Sequence, residues 1–270
     1  MGKWRRLTAP LVVLATSGNS PKGAVTVAWR IFIHSLQMIF NNLPQVIRIV
    51  LVPMGIGIGL MILFAVLGVS MDGTDVEGAS GAQIAGLIFL VIALIGLALW
   101  VIVAWHRFIL LAEYPQGWVP VLRTDRMLSY FGRSLILGLV MMGLILPLAI
   151  VMGLLGSGGS LIAMMFMVLF FVALNIVLFR LSVILPAAAI GQPLTLREAW
   201  NATQGSSVTI LILVLILGVA HFVVQPVVDL LIFVPLIGLV LMALGTALSA
   251  LVNISILTTL YGYYIEKRTL

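Results

Sequence analysis

The sequence predicts an all-α integral membrane protein: six transmembrane helices arranged as three hairpins, with cytoplasmic interfacial helices and both termini on the cytoplasmic side. Three observations predict it. Of the 270 residues, 63% are hydrophobic and 8% charged, against about 25% charged in a soluble domain, so lipid is the solvent for most of the chain. The long runs are apolar throughout, whereas the strands of a membrane barrel alternate between a lipid face and a polar lumen face; helices are the remaining way to pair every backbone group in hydrocarbon. Drawn as six spans, the sequence also places all 14 Lys and Arg on one side, which the positive-inside rule makes cytoplasmic.

The net charge of +6 is therefore read as topology, and a nucleic-acid partner is not expected. There are no cysteines, which excludes disulfides, thiolate catalysis and Cys-ligated metals.

Residues 1–23 form an expected cytoplasmic tail. The start Lys3-Trp4-Arg5-Arg6 and the short apolar stretch 11–15 imitate a secretory signal poorly, since the apolar core of a signal is about 7–15 residues. Residues 24–266 are expected to form one six-helix domain, and 267–270 a second cytoplasmic tail. From Val27 to Asn41 the polar residues Arg30, His34, Gln37 and Asn41 recur at helical spacing, a narrow stripe that predicts a helix lying in the membrane interface.

The first span is expected at about 45–69, with Gly55, Gly57 and Gly59 permitting close helix approach. The loop that follows carries Asp72, Asp75 and Glu77 without a base. The second span, 84–112, is longer than the roughly 20 residues a bilayer needs. It ends in Trp105-His106-Arg107, breaks at Tyr114-Pro115 and turns basic at Arg123 and Arg126. Between Arg133 and Arg180 lie 46 uncharged residues, enough for spans at 134–155 and 161–185 joined by a Gly-Ser turn.

Thr195-Leu196-Arg197-Glu198 reads as a capping box that opens a short helix through Trp200. The fifth span follows at 206–224, ended by Gln225-Pro226. Thirty-six uncharged residues separate Asp229 from Glu266, about 54 Å as one helix, too long for one span and too short for two. A break near Pro235 or Gly238 is expected before a sixth span at 239–264.

Arg107 and Arg180 are the candidate site residues. Each would sit one to two turns inside the apolar end of a returning helix, and an intramembrane charge is a functional hypothesis by default. Guanidinium grips phosphate bidentately, so the two are candidate ligands of a lipid phosphate, supported by Trp105, His106, Glu113, Glu198 and Trp200. The competing reading is that they snorkel to headgroups or pair with Glu113, Asp125 or Glu198. All six Trp and five Tyr fall in the cytoplasmic half or tail, a one-sided belt where two are usual. Gly245, Ser249 and Asn253, at i, i+4 and i+8, form a candidate helix-packing face. His34, His106 and His221 are scattered, so no metal centre is expected. No Walker loop, Rossmann fingerprint or catalytic constellation is present. No cofactor and no enzymatic activity are expected.

The run Trp105-His106-Arg107-Phe108-Ile109-Leu110-Leu111, with Arg180-Leu181-Ser182-Val183-Ile184-Leu185-Pro186-Ala187 and Leu196-Arg197-Glu198-Ala199-Trp200, resembles uncharacterised bacterial six-helix integral membrane proteins. It is also similar to the membrane region attached to some bacterial glycerophosphodiester phosphodiesterases. The resemblance implies the six-helix layout and lipid association; it implies no activity, because the catalytic domain has no counterpart here. The expected function is a non-enzymatic inner-membrane protein binding anionic lipid or an amphiphile at the cytoplasmic leaflet. The alternatives are an accessory or assembly subunit, with other membrane-protein subunits as partners, and a small transporter.

Overall fold

In the computed structural model, residues 21–67, 80–155, 161–235 and 237–270 are described, and every regular element among them is helical. The expected tail over 1–20, the acidic loop with Asp72, Asp75 and Glu77, and the turn 156–160 lie outside the described residues.

The first three helices are α1 (Pro21–Phe40), α2 (Leu43–Val66) and α3 (Gly81–Leu111). A capping box opens α3: the Ser80 hydroxyl accepts from the Gln83 amide at 3.3 Å, and the Ser80 amide donates to Gln83 Oε1 at 2.8 Å, satisfying two of the orphan donors at a helix start. Ala112 closes α3 in the left-handed region, at φ 53°. Then come α4 (Thr124–Leu155), α5 (Leu161–Leu181), and the two short helices α6 (Ile184–Ile190) and α7 (Leu196–Ala202). The last are α8 (Ser207–Leu230), a 3-10 turn over Leu231–Phe233, and α9 (Gly238–Tyr264).

Among the described residues, seven stretches are long and apolar enough to cross a membrane, which makes the chain a multi-pass helical membrane protein. Six are expected from the sequence. The additional one is α1, the least apolar of the seven, whose four-residue polar stripe is too sparse to offset its apolar majority.

Three expected boundaries move. The third span is one continuous helix from Thr124, ten residues ahead of the expected start at 134; a lone Gly132 costs about 1 kcal/mol and does not break a helix. The fourth span ends at Leu181 rather than 185. The Pro186 ring would meet the carbonyl four residues back, that of Ser182; that carbonyl accepts instead from the Leu185 amide at 2.9 Å, so the chain turns and restarts as α6. The fifth span does not stop at Pro226 but runs through it to Leu230. Gln225 Nε2 donates to Asp229 Oδ1 at 2.7 Å across the proline, and Val228 packs on Gly245 of α9. The expected break lies at 231–237, and Gly238 is required there because a Cβ would collide with the Ile232 carbonyl.

The sequential pairs α2–α3, α4–α5 and α8–α9 each pack together; α3 also meets α4, α5 meets α8, and α9 returns to α3. Inside this ring sits α6, against α3, α4 and α9, while α1 packs across α8 and α9. Residues 181–190 are all buried, and the Ala187-Ala188-Ala189 run lets three helices approach them. Around α6 gather Ala28, Ile31, Val103, Leu137, Leu213 and Ile256. Most buried side chains thus lie at the end of the bundle that carries the basic residues.

Candidate functional site

Arg107 lies four residues before the end of α3, and the left-handed Ala112 folds the following residue back beneath it. Arg107 Nε donates to Glu113 Oε2 at 2.7 Å, and its Nη1 donates to the Ala189 carbonyl at the end of α6, at 3.2 Å. A second guanidinium completes the group: Arg123 Nε and Nη2 donate to Glu113 Oε1 at 3.3 and 3.0 Å. Burial pushes the Glu113 carboxyl up, but the hydrogen bonds from Arg123 and Arg107, with their charges, outweigh it and hold the group below the usual carboxylate range. One carboxylate is clamped between two arginines, leaving the trio with one net positive charge.

Arg180, 7% exposed, is occupied differently. Its Nε donates to Thr203 Oγ1 at 3.2 Å and its Nη2 to the Trp200 carbonyl at 2.8 Å. The guanidinium carbon lies 3.5 Å from the centroid of the Trp200 ring, a cation–π contact. Thr203 Oγ1 can accept because its own proton goes to the Ala199 carbonyl. Arg180 therefore staples α5 to α7, and no contact unites it with Arg107.

The supporting residues divide. Glu113 pairs with Arg107 and Trp200 with Arg180, but Glu198 closes the capping box of α7, accepting from the Thr195 amide at 2.8 Å. The Thr195 backbone and hydroxyl bonds hold its carboxyl below the usual range. Asp125 pairs with Arg126. Trp105 and His106, both fully buried, point into α9: Trp105 Nε1 donates to Ser255 Oγ at 3.0 Å, and His106 Nδ1 lies 2.8 Å from Thr258 Oγ1. The Thr258 hydroxyl gives its proton to the Ile254 carbonyl, so it accepts from His106 and fixes the tautomer with hydrogen on Nδ1. Ser35 of α1 meets Thr259 at 2.9 Å.

Ser255, Thr258 and Thr259 thus form one polar face of α9 that registers it against α3 and α1, a role the sequence reading missed. The i, i+3, i+4 spacing of three hydroxyls in an apolar run was the available signal. Arg123 was also missed, although Glu113 lies between it and Arg107 in the sequence.

On the candidate packing face, Gly245 receives the Val228 methyl groups at 3.0 and 3.1 Å from where a Cβ would stand. Asn253 is exposed and donates to the Ser249 carbonyl of its own helix at 3.0 Å, so its amide bridges no pair of helices. Elsewhere at the basic end the arginines also serve carbonyls: Arg133 Nη1 donates to Leu194 O at 2.8 Å and Arg268 Nη2 to Leu110 O at 3.1 Å.

Comparison with protein families, with curated proteins and with solved structures returned no match.

Proposed function

We propose that the chain is a non-enzymatic bacterial inner-membrane protein of six spans with both termini cytoplasmic, which associates with anionic lipid at the cytoplasmic leaflet. In this reading α1 lies in the interface and α2, α3, α4, α5, α8 and α9 span. The observation that carries it is the division of the basic residues. Lys22, Arg30, Arg48, Arg197 and Lys267 are exposed and make no ion pair among the described residues. An anionic leaflet attracts such a rim by about 1 kcal/mol per charge near its surface. The buried arginines face inward, onto Glu113, Trp200 and backbone carbonyls.

The test is native mass spectrometry of protein extracted from bilayers of mixed phosphatidylglycerol and phosphatidylethanolamine. Preferential retention of the anionic lipid is expected, reduced when Arg48, Arg197 and Lys267 are replaced by Gln. Equal retention of both lipids overturns the reading.

A second reading, an accessory subunit of a larger membrane complex, is favoured by Trp118, 62% exposed between α3 and α4. It predicts a reproducible partner in the same spectra.

A further inference from the structure

Glu113 sits where an external anion would sit. Its two oxygens take separate guanidiniums, Oε2 that of Arg107 and Oε1 that of Arg123, and such fork-shaped donors match phosphate as well as carboxylate. Arg107 is pre-set for this, because its third nitrogen is held by the Ala189 carbonyl. The side chains are 14%, 26% and 46% exposed for Arg107, Glu113 and Arg123, so the clamp grades from a fixed inner cation to an outer one in reach of solvent.

Three further features fit a displaceable occupant. Glu113 belongs to no helix; it follows the left-handed Ala112 and precedes Tyr114-Pro115, so it can leave without unwinding α3. The crevice at the trio is walled by Ile49 of α2, Ala104 of α3, and Pro120 and Val121, apolar surface directly beside two cations. Charge balance then selects the ligand. Two guanidiniums against one carboxylate leave one positive charge unmatched, and a phosphomonoester, at about −1.5 to −2 near pH 7 with three acceptor oxygens, matches both where a diester brings only one.

We propose that Arg107 and Arg123 form a phosphomonoester site, that Glu113 occupies it in this structure, and that the monoester headgroup of a lipid displaces the Glu113 carboxylate. The proposal rests on the anionic-lipid reading above and assigns it one site and one headgroup class. Binding weakens as pH falls below about 6, where the monoester loses its second charge.

The experiment places the full chain in phosphatidylcholine nanodiscs and titrates phosphatidic acid, phosphatidylglycerol and inorganic phosphate against wild type, Glu113→Gln and Arg123→Gln, with thermal unfolding recorded for each. Phosphatidic acid is expected to bind Glu113→Gln about tenfold more tightly than wild type and Arg123→Gln about tenfold more weakly, the size of one charge-assisted contact, with phosphatidylglycerol little changed. Arg123 is half exposed and, among the described residues, its guanidinium pairs only with Glu113, so its variant folds even where Arg107→Gln does not. If inorganic phosphate shows the same variant pattern as phosphatidic acid, the arginine site stands and its source is soluble phosphate, which overturns the lipid assignment. If neither variant changes the binding of either ligand, the site is overturned, while rim-dependent anionic preference in wild type leaves the broader reading intact. Conversely, no anionic preference in wild type with tight phosphatidic acid binding by Glu113→Gln removes the rim reading and keeps the site.

Discussion

Arg180 shows how a buried guanidinium can be satisfied without a carboxylate: a ring face beneath it, a carbonyl and a hydroxyl at its edge. Replacing it by Gln removes the cation–π contact and the forked donation, and is expected to cost about 2 kcal/mol in detergent unfolding. Lys is expected to recover little of this, since an ammonium has neither the plane nor the fork. Glu113 links stability to pH. Its carboxyl is held below the usual range, so its contribution is complete above that range and lost as pH falls through the usual value to the lowered one. Glu266 works in the opposite sense: burial pushes it up, more than Arg268 pulls it down, so its protonation comes earlier on acidification and relieves rather than loosens the fold. The acid-side fall in Tm is therefore expected to be smaller in Glu113→Gln than in wild type; equal falls would place the acid-labile contact elsewhere.

Among the elements, α6 has the largest structural consequence. It has seven residues and no capping side chain, so little of its stability is local. It persists because α3, α4 and α9 surround it, because Arg107 Nη1 donates to its Ala189 carbonyl, and because Arg126 lies on Gly191, where a Cβ would stand 2.6 Å from the guanidinium. At Ala188, fully buried, Leu is expected to cost roughly 1–3 kcal/mol through overpacking. The same change at Ala149, exposed on α4, is expected to cost little, and thermal unfolding of the two variants separates a packed plug from a loose interfacial segment. On α9, the Ser255, Thr258 and Thr259 face contributes register: each hydroxyl meets a partner on α3 or α1, where an apolar face would allow α9 to slide.

For the whole molecule, the native absence of cysteine makes topology directly measurable. Single cysteines at Ser17, Thr74 and Gln116 are expected to react with an impermeant maleimide from the outside only at 74 under the six-span reading; labelling of 17 as well shows that α1 crosses. The chain by itself determined the membrane class, the approximate helix positions and the capping box at Thr195, because hydropathy, helical period and capping are local and can be read within a few residues. It left α6 and the arginine partners to the tertiary structure. Leu185-Pro186-Ala187-Ala188-Ala189 reads as the tail of a span because hydropathy measures distance from water and does not separate a lipid-facing surface from a protein interior. Arg107 could be matched with Glu113 from nearby sequence, but its other partner is a carbonyl 82 residues away. Every residue carries a carbonyl, so only the packing of α6 against α3 decides which one the guanidinium meets.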